Sequence, residues 1–316
     1  VNENIPVPAT NDGSVESAWT RLSTKIEGQS WPAPALYVVA TPIGNLGDLT
    51  LRAAQALTFA DVIAAEDTRA TKVLLDAWGI ATPLMSAHRH NEALAAESIV
   101  ERLTAGQRVA LVCDAGSPAV SDPGARVVAQ AVAAGFRVIP LPGPSALLAA
   151  LMSAGVTTDE HPEFVFAGFA PSKSAARLKW FKCWCATPAA LVYYEAPHRI
   201  VASLRDLLDA AGSVRRVTLA RELTKRFEQI VTLPLSEANA WVQADAHREQ
   251  GEYVVVLHHA EKLNAQDALE ANATLDAWLD ALLPSMSVRD VARVAAQATG
   301  LSRDVIYARA LARKPD

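Results

Sequence analysis

The chain has 316 residues, a formal net charge of −5 at pH 7, 51% hydrophobic residues and 20% charged ones. That length holds two modest domains and an appendage. No apolar run reaches membrane-spanning length, and the acidic balance carries no overall signature of nucleic-acid binding. Three cysteines, Cys113, Cys183 and Cys185, make no disulfide framework and fit a reducing cytoplasm.

Residues 1–34 lack the basic and apolar regions of a signal peptide. They read as a flexible polar extension closed by Trp31-Pro32-Ala33-Pro34. An N-terminal α/β domain is expected over 35–143. Its first strand, 36–40, breaks at TPIGNLGD (41–48), and a helix follows at 50–58. The strand 62–66 ends in Glu66-Asp67-Thr68-Arg69 and leads to a helix at 71–78, stopped by Gly79. A short strand at 83–86, a helix at 92–104, a strand at 108–112, a helix at 125–134 and a strand at 136–140 complete it. This alternation predicts a mostly parallel sheet.

The segment LVCDAGSPAVSDPG (111–124) organises that domain. A buried strand ends in it, and a helix leaves it, which is where open α/β sheets hold ligands. The loop is longer than an ordinary strand-to-helix connection of about 2–6 residues. Gly116 and Gly124 let the backbone approach a ligand, Pro118 and Pro123 stiffen it, and Asp114, Ser117, Ser121 and Asp122 offer acceptors.

The rigid turn LPGPS (141–145) is the candidate junction to a second α/β domain, 144–260. Helices are expected at 146–154, 174–185, 200–211 and 235–249. Strands are expected at 164–168, 190–195, 217–221, 228–233 and 253–258. Residues 261–316 read as a linker, 261–273, and two short helices, 287–299 and 302–313, spaced like a helix-turn-helix.

Charge is unevenly spread. Residues 173–226 hold eleven Lys/Arg against four acids, which reads either as solvated helix faces or as a phosphate-facing surface. No P-loop, G-x-G-x-x-G or G-x-S-x-G motif is present. Neither Cys183-x-Cys185 nor His88-x-His90 finds the further ligands of a metal site, so none is expected. What remains is a set of polar loops at strand ends, bearing Glu66, Asp67, Arg69, Asp114, Glu195, His198, Arg199, Arg221, Glu222 and Lys225. Singly each suits a cap or a surface ion pair; together they mark a cleft.

The motifs VATPIGNLGDLTLRA, AAEDTRAT, LVCDAGSPAVSDPG, PLPGPSALLAAL, FAGFAPSK, YYEAPHRI and LARELTKRFE resemble, in order, the bacterial 16S rRNA (cytidine-2′-O)-methyltransferase family of the tetrapyrrole methylase superfamily. The resemblance spans about 36–258, with the C-terminal helices also similar and the first thirty-odd residues departing from it. It implies two α/β domains with S-adenosyl-L-methionine in the cleft between them. It also implies methyl transfer to a ribose 2′-hydroxyl in the decoding region of 16S rRNA, and a homodimer. By motif matching, Pro42 and Gly44 lie near the cofactor, Asp114 and Ser117 form the central-loop contact, Ser145 and Ala146 flank the adenosine, and Ala196, Ala220 and Glu252 contribute from the second domain. Arg199, Arg221 and Lys225 are the RNA-binding candidates. A 2′-hydroxyl is a weak nucleophile that a general base helps; Glu66, Asp67, Glu195, His198 and Glu222 are all candidates, and the sequence does not choose among them. A tetrapyrrole methylase and a non-enzymatic RNA-binding assembly protein are the competing readings.

Overall fold

The apolar runs that punctuate the chain become the strands of two five-stranded sheets. The computed structural model describes residues 12–89, 91–260, 275–299 and 303–313. The first sheet is built from β1 (Ala35–Val39), β2 (Val62–Ala65), β3 (Leu84–Ser86), β4 (Arg108–Val112) and β5 (Arg137–Leu141), in the order β3-β2-β4-β1-β5. Every pairing in it is parallel. Helices cover both faces, which is why β2 is apolar at all four positions and wholly buried. On one face pack α2 (Leu51–Phe59) and α3 (Thr68–Ala77), through Ala53, Leu57, Leu74 and Leu75; on the other pack α4 (Glu92–Thr104) and α5 (Ala125–Ala133), through Ala96, Ile99, Leu103 and Val127. Neighbouring β1 and β4 occupy the inner part of the sheet, so the loops leaving their carboxyl ends meet.

After α6 (Ala146–Ala154) the second sheet comprises β6 (Phe164–Phe169), β7 (Ala190–Glu195), β8 (Arg216–Arg221), β9 (Gln229–Pro234) and β10 (Tyr253–Leu257), ordered β6-β7-β10-β8-β9. Here only β6 and β7 run parallel; the other three pairings are antiparallel. The cause is local: no helix separates β8 from β9, so they fold as a hairpin. The core of this half joins Phe181 of α7 (Ser174–Cys185), Leu204 and Leu207 of α8 (Ile200–Ala211), Ala238 of α9 (Leu235–Gln243), and Tyr193, Leu219 and Val255 of the sheet.

Two expected elements differ. The helix read over 235–249 ends at Gln243, because the Asp245 side chain accepts the His247 N–H at 2.9 Å and starts a separate short turn, Ala246–Glu249. The extension read as flexible carries α1 (Asp12–Glu27), which packs on α2. Its anchor is Trp31: the indole Nε1–H donates to Ile26 O (3.1 Å), the ring lies edge-on to Phe59 with centroids 5.8 Å apart, and Arg108 Nε donates to Trp31 O (3.1 Å).

The chain to His259 forms one compact unit, and a second begins at Ala260. The expected linker, 261–273, lies outside the described residues. The second unit holds α10 (275–282), absent from the sequence reading, followed by α11 (Val288–Thr299) and α12 (Arg303–Arg313). Leu275, Leu279, Val291, Ala295, Ile306 and Ala310 are its core.

Candidate functional site

The central loop is fixed to its neighbours by main-chain bonds. Thr41 and Gly116 exchange both N–H···O=C bonds at 2.9 Å, and Thr41 Oγ1 donates to Cys113 O at 3.2 Å. Gly116 has φ +82°, open to glycine and strained for other residues. At the far end of the loop, Glu92 of α4 accepts from the N–H groups of Gly124 and Arg126 at 2.9 and 3.3 Å, capping α5 from another helix. Ala119 and Ser121 hold φ near +66°, and such strain persists where surroundings over-determine it.

A cavity of about 410 Å³ opens beside this loop, within the size range of small-molecule sites. Of the sequence-derived cofactor residues, Asp114, Ser117, Ser145, Ala146, Ala196, Ala220 and Glu252 line it, as does Ile43, between Pro42 and Gly44. Of the five general-base candidates, only Glu66 and Glu195 line it.

The carboxylates divide by environment. Asp67 is the N-cap of α3 and forms an ion pair with Arg69 at 2.9 Å; the Arg69 hydrogen bonds pull its pKa down to about 2. It touches the site through its main chain, whose N–H donates to Asp114 Oδ1 at 2.9 Å. Glu195 is fully buried and paired with Arg199 at 3.0 Å. Glu222, at φ +51°, accepts from Lys225 Nζ and from Glu252 N–H, both at 2.9 Å. Burial opposes its ionisation, but these bonds and the nearby cations outweigh burial and keep its pKa low. His198 is exposed on the turn Pro197–Arg199. Glu66 and Asp122 stand apart: both line the cavity, and burial, with repulsion from Asp114, raises both pKa values. Asp122 entered the sequence reading only as a loop acceptor.

The cations correct the sequence reading. Arg221 is buried, its guanidinium donating to the carbonyls of Gln250 and His247 at 2.6 Å and of Phe227 at 3.1 Å, so it braces the β8–β9 loop and has no hand free for phosphate. Arg199 is turned onto Glu195 and the Ala170 carbonyl. Arg177, also from the basic window, is buried against Asp206, and Arg215 donates to His258 O. Lys225 lines the cavity with its ammonium 2.9 Å from both Glu222 and Glu252. The window is therefore in part a set of internal clamps.

The apolar wall was missed. Val120, Phe169, Tyr194 and Leu223 line the cavity with Ile43. In a sequence such residues are indistinguishable from core. The one available signal was the glycine in FAGFAPSK, Gly168, a strand glycine of the kind that marks a bulge.

Residues 35–239 match the family described as Tetrapyrrole (Corrin/Porphyrin) Methylases, and residues 269–314 match the RsmI C-terminal HTH domain. Relatives named ribosomal RNA small subunit methyltransferase I are similar over nearly their full length. The Pseudomonas aeruginosa protein is 43% identical over 89% of this chain and 98% of its own. The Mesorhizobium japonicum protein is 44% identical, over 88% and 92%. The chain belongs to the ribosomal RNA small subunit methyltransferase I family. It is thus a methyltransferase on the tetrapyrrole methylase fold. Among solved structures, the methyltransferase CobJ superposes with a TM-score of 0.53 at 21% identity, covering 71% of this chain and 94% of its own. The uroporphyrin-III-C-methyltransferase of Thermus thermophilus gives 0.51 at 18%, over the same shares. These two likenesses concern the fold of the family, in which the first 34 residues of this chain, with α1, precede the matched region.

Proposed function

We propose that the protein transfers a methyl group from S-adenosyl-L-methionine to the 2′-hydroxyl of a cytidine in the decoding region of 16S rRNA, acting on the small ribosomal subunit in the cytoplasm as a homodimer. The observation that carries this reading is one cavity lined by residues from both sheets of a single chain, in a member of this methyltransferase family. The C-terminal helical domain favours RNA over a tetrapyrrole as substrate, because it matches a domain named for this family's members.

The residues present suit the donor. Walls of Ile43, Val120, Leu223 and Tyr194 accept an apolar ring and exclude water, while Asp114, Glu66, Asp122 and Glu252 place negative charge around a cationic ligand. S-Adenosyl-L-methionine supplies an already activated methyl group on a cationic sulfur. The chain's own task is alignment, exclusion of water and acceptance of one proton. Asp114, its position set by the Asp67 N–H, would hold the positive end of the donor. Ser117 and Ser145 offer hydroxyls beside it, Ser117 Oγ being oriented by its bond to Pro144 O at 3.4 Å. Glu66 takes the 2′-hydroxyl proton. Asp67 and Glu222 are each held by a cation and have lowered pKa values, and Glu195 is engaged by Arg199, whereas Glu66, partly buried and facing Asp114 and Asp122, has the raised pKa a base needs.

The test is methyl transfer from labelled S-adenosyl-L-methionine to purified small subunits from a strain lacking the modification, with a porphyrinoid substrate in parallel. Label in the RNA supports the reading; label in the porphyrinoid alone, or in neither, overturns it.

A further inference from the structure

Phe169 is a 59% exposed aromatic ring in the cavity wall. The other two aromatic side chains of that wall are withdrawn: Tyr253 is buried and Tyr194 half-buried. A ring so exposed contributes little to folding, yet the backbone is bent to present it. β6 is an edge strand, and its register against β7 shifts between Phe166 and Phe169. The shift falls at Gly168, whose φ of +70° belongs to glycine. A β-carbon there would stand 3.3 Å from Ser121 Oγ, so the bulge is pressed against the central loop. Behind Phe169 an aromatic stack limits its movement: Phe169 meets Tyr194 at 5.3 Å and 68°, and Tyr194 meets Phe166 at 4.8 Å and 61°.

We propose that Phe169 is a stacking platform for the base of the nucleotide whose ribose is methylated, a positioning residue for the RNA; this rests on the rRNA methyltransferase reading above. A ribose can reach Glu66 inside the cavity only if its nucleotide leaves the base stack, and extruded bases are held on aromatic faces. An edge-strand ring at the exposed side of the cavity meets that base as it enters. Of the residues assigned to the donor, Ser117, Ser145, Ala146, Ala196 and Ala220 are half-buried or buried, whereas the carboxylates Asp114 and Glu252 are exposed. Stacking fixes the plane of the base and hence the direction of its 2′-hydroxyl, but reads little of its identity.

The experiment compares full-length wild type, Phe169→Ala and Phe169→Tyr in three measurements: thermal unfolding, calorimetric affinity for S-adenosyl-L-methionine, and steady-state methyl transfer to small subunits. Phe169→Ala is expected to keep its melting temperature and its donor affinity within about twofold. Its kcat/KM for subunits should fall about 5- to 150-fold, the range of one base–aromatic contact. Phe169→Tyr should recover most of that loss, which a merely structural position would not require. A tenfold loss of donor affinity in Phe169→Ala would overturn the proposal by placing the adenine on this ring. Unchanged transfer to subunits would overturn it outright. Absence of transfer by the wild type would instead overturn the functional reading, and the proposal with it.

Discussion

The stem of Lys225 lies directly against the α-carbon of Gly44: a β-carbon at Gly44 would collide with Lys225 Cγ. Gly44 follows β1 of the first sheet and Lys225 follows β8 of the second, so this contact joins the two halves at the cavity. The ammonium at the end of that stem then bridges Glu222 and Glu252.

Gly44→Ala should therefore displace Lys225 and break the bridge, and Lys225→Ala should make room for the added methyl. The two changes will be non-additive, with a coupling of about 0.5–3 kcal/mol, as for residues in direct contact. Urea unfolding of the two single variants and the double variant measures it; strictly additive effects would mean that the loop and the lysine are independent.

Arg221→Ala should destabilise the fold by roughly 2–3 kcal/mol, since three carbonyls lose a charged donor in a buried place. Arg226 differs. It is exposed and lies 5.5 Å over the ring of Phe227. Arg226→Ala should leave stability within about 0.5 kcal/mol and lower the salt slope of RNA binding by about 0.7–0.9, the value of one phosphate contact. Denaturation and salt-dependent binding curves on both variants separate the two roles.

The partial misreading of the basic window has a physical cause. Composition counts charges but not their partners, and Arg177, Arg199, Arg215 and Arg221 satisfy their guanidinium groups on carboxylates and carbonyls contributed from 4 to 43 residues away. The central loop was legible because a parallel sheet obliges its ligand loops to sit at strand ends, and the glycines and acceptors of 113–124 are unusual there. The cavity's apolar wall was not, because Leu223 and Tyr194 read as core until the two sheets are placed together. The antiparallel hairpin of the second sheet lay in the absence of a helix between 221 and 229.

Asp206→Ala should cost about 3–5 kcal/mol, because it strands the buried Arg177 guanidinium, which Asp206 holds at 2.7–2.8 Å. Replacing both residues by apolar ones of similar volume should recover most of that loss. Chemical denaturation of single and double variants checks this; an equal loss in both would assign the stability to packing rather than to the stranded charge.

Burial first, and then Asp114 and Asp122, raise the pKa of Glu66. The folded chain therefore binds that proton more tightly than the unfolded one. The resulting stability is complete below the ordinary carboxylate range and is lost as pH rises through the raised value. Glu66→Gln removes this dependence. Its melting temperature should gain on the wild type as pH increases from 4 to 7, while its methyl-transfer rate falls at every pH. Parallel melting curves over that range would contradict the assignment of a raised pKa.

The position of the methyl group tests the account most directly. Small subunits methylated with labelled S-adenosyl-L-methionine are stripped of protein, and the RNA is hydrolysed in alkali. A 2′-O-methyl group removes the nucleophile that cleaves the adjacent phosphodiester. Label is expected in an alkali-resistant dinucleotide with cytidine at its 5′ side, and none when the Glu66→Gln variant replaces the wild type. Label released in ordinary mononucleotides would place the methyl group on a base and contradict it.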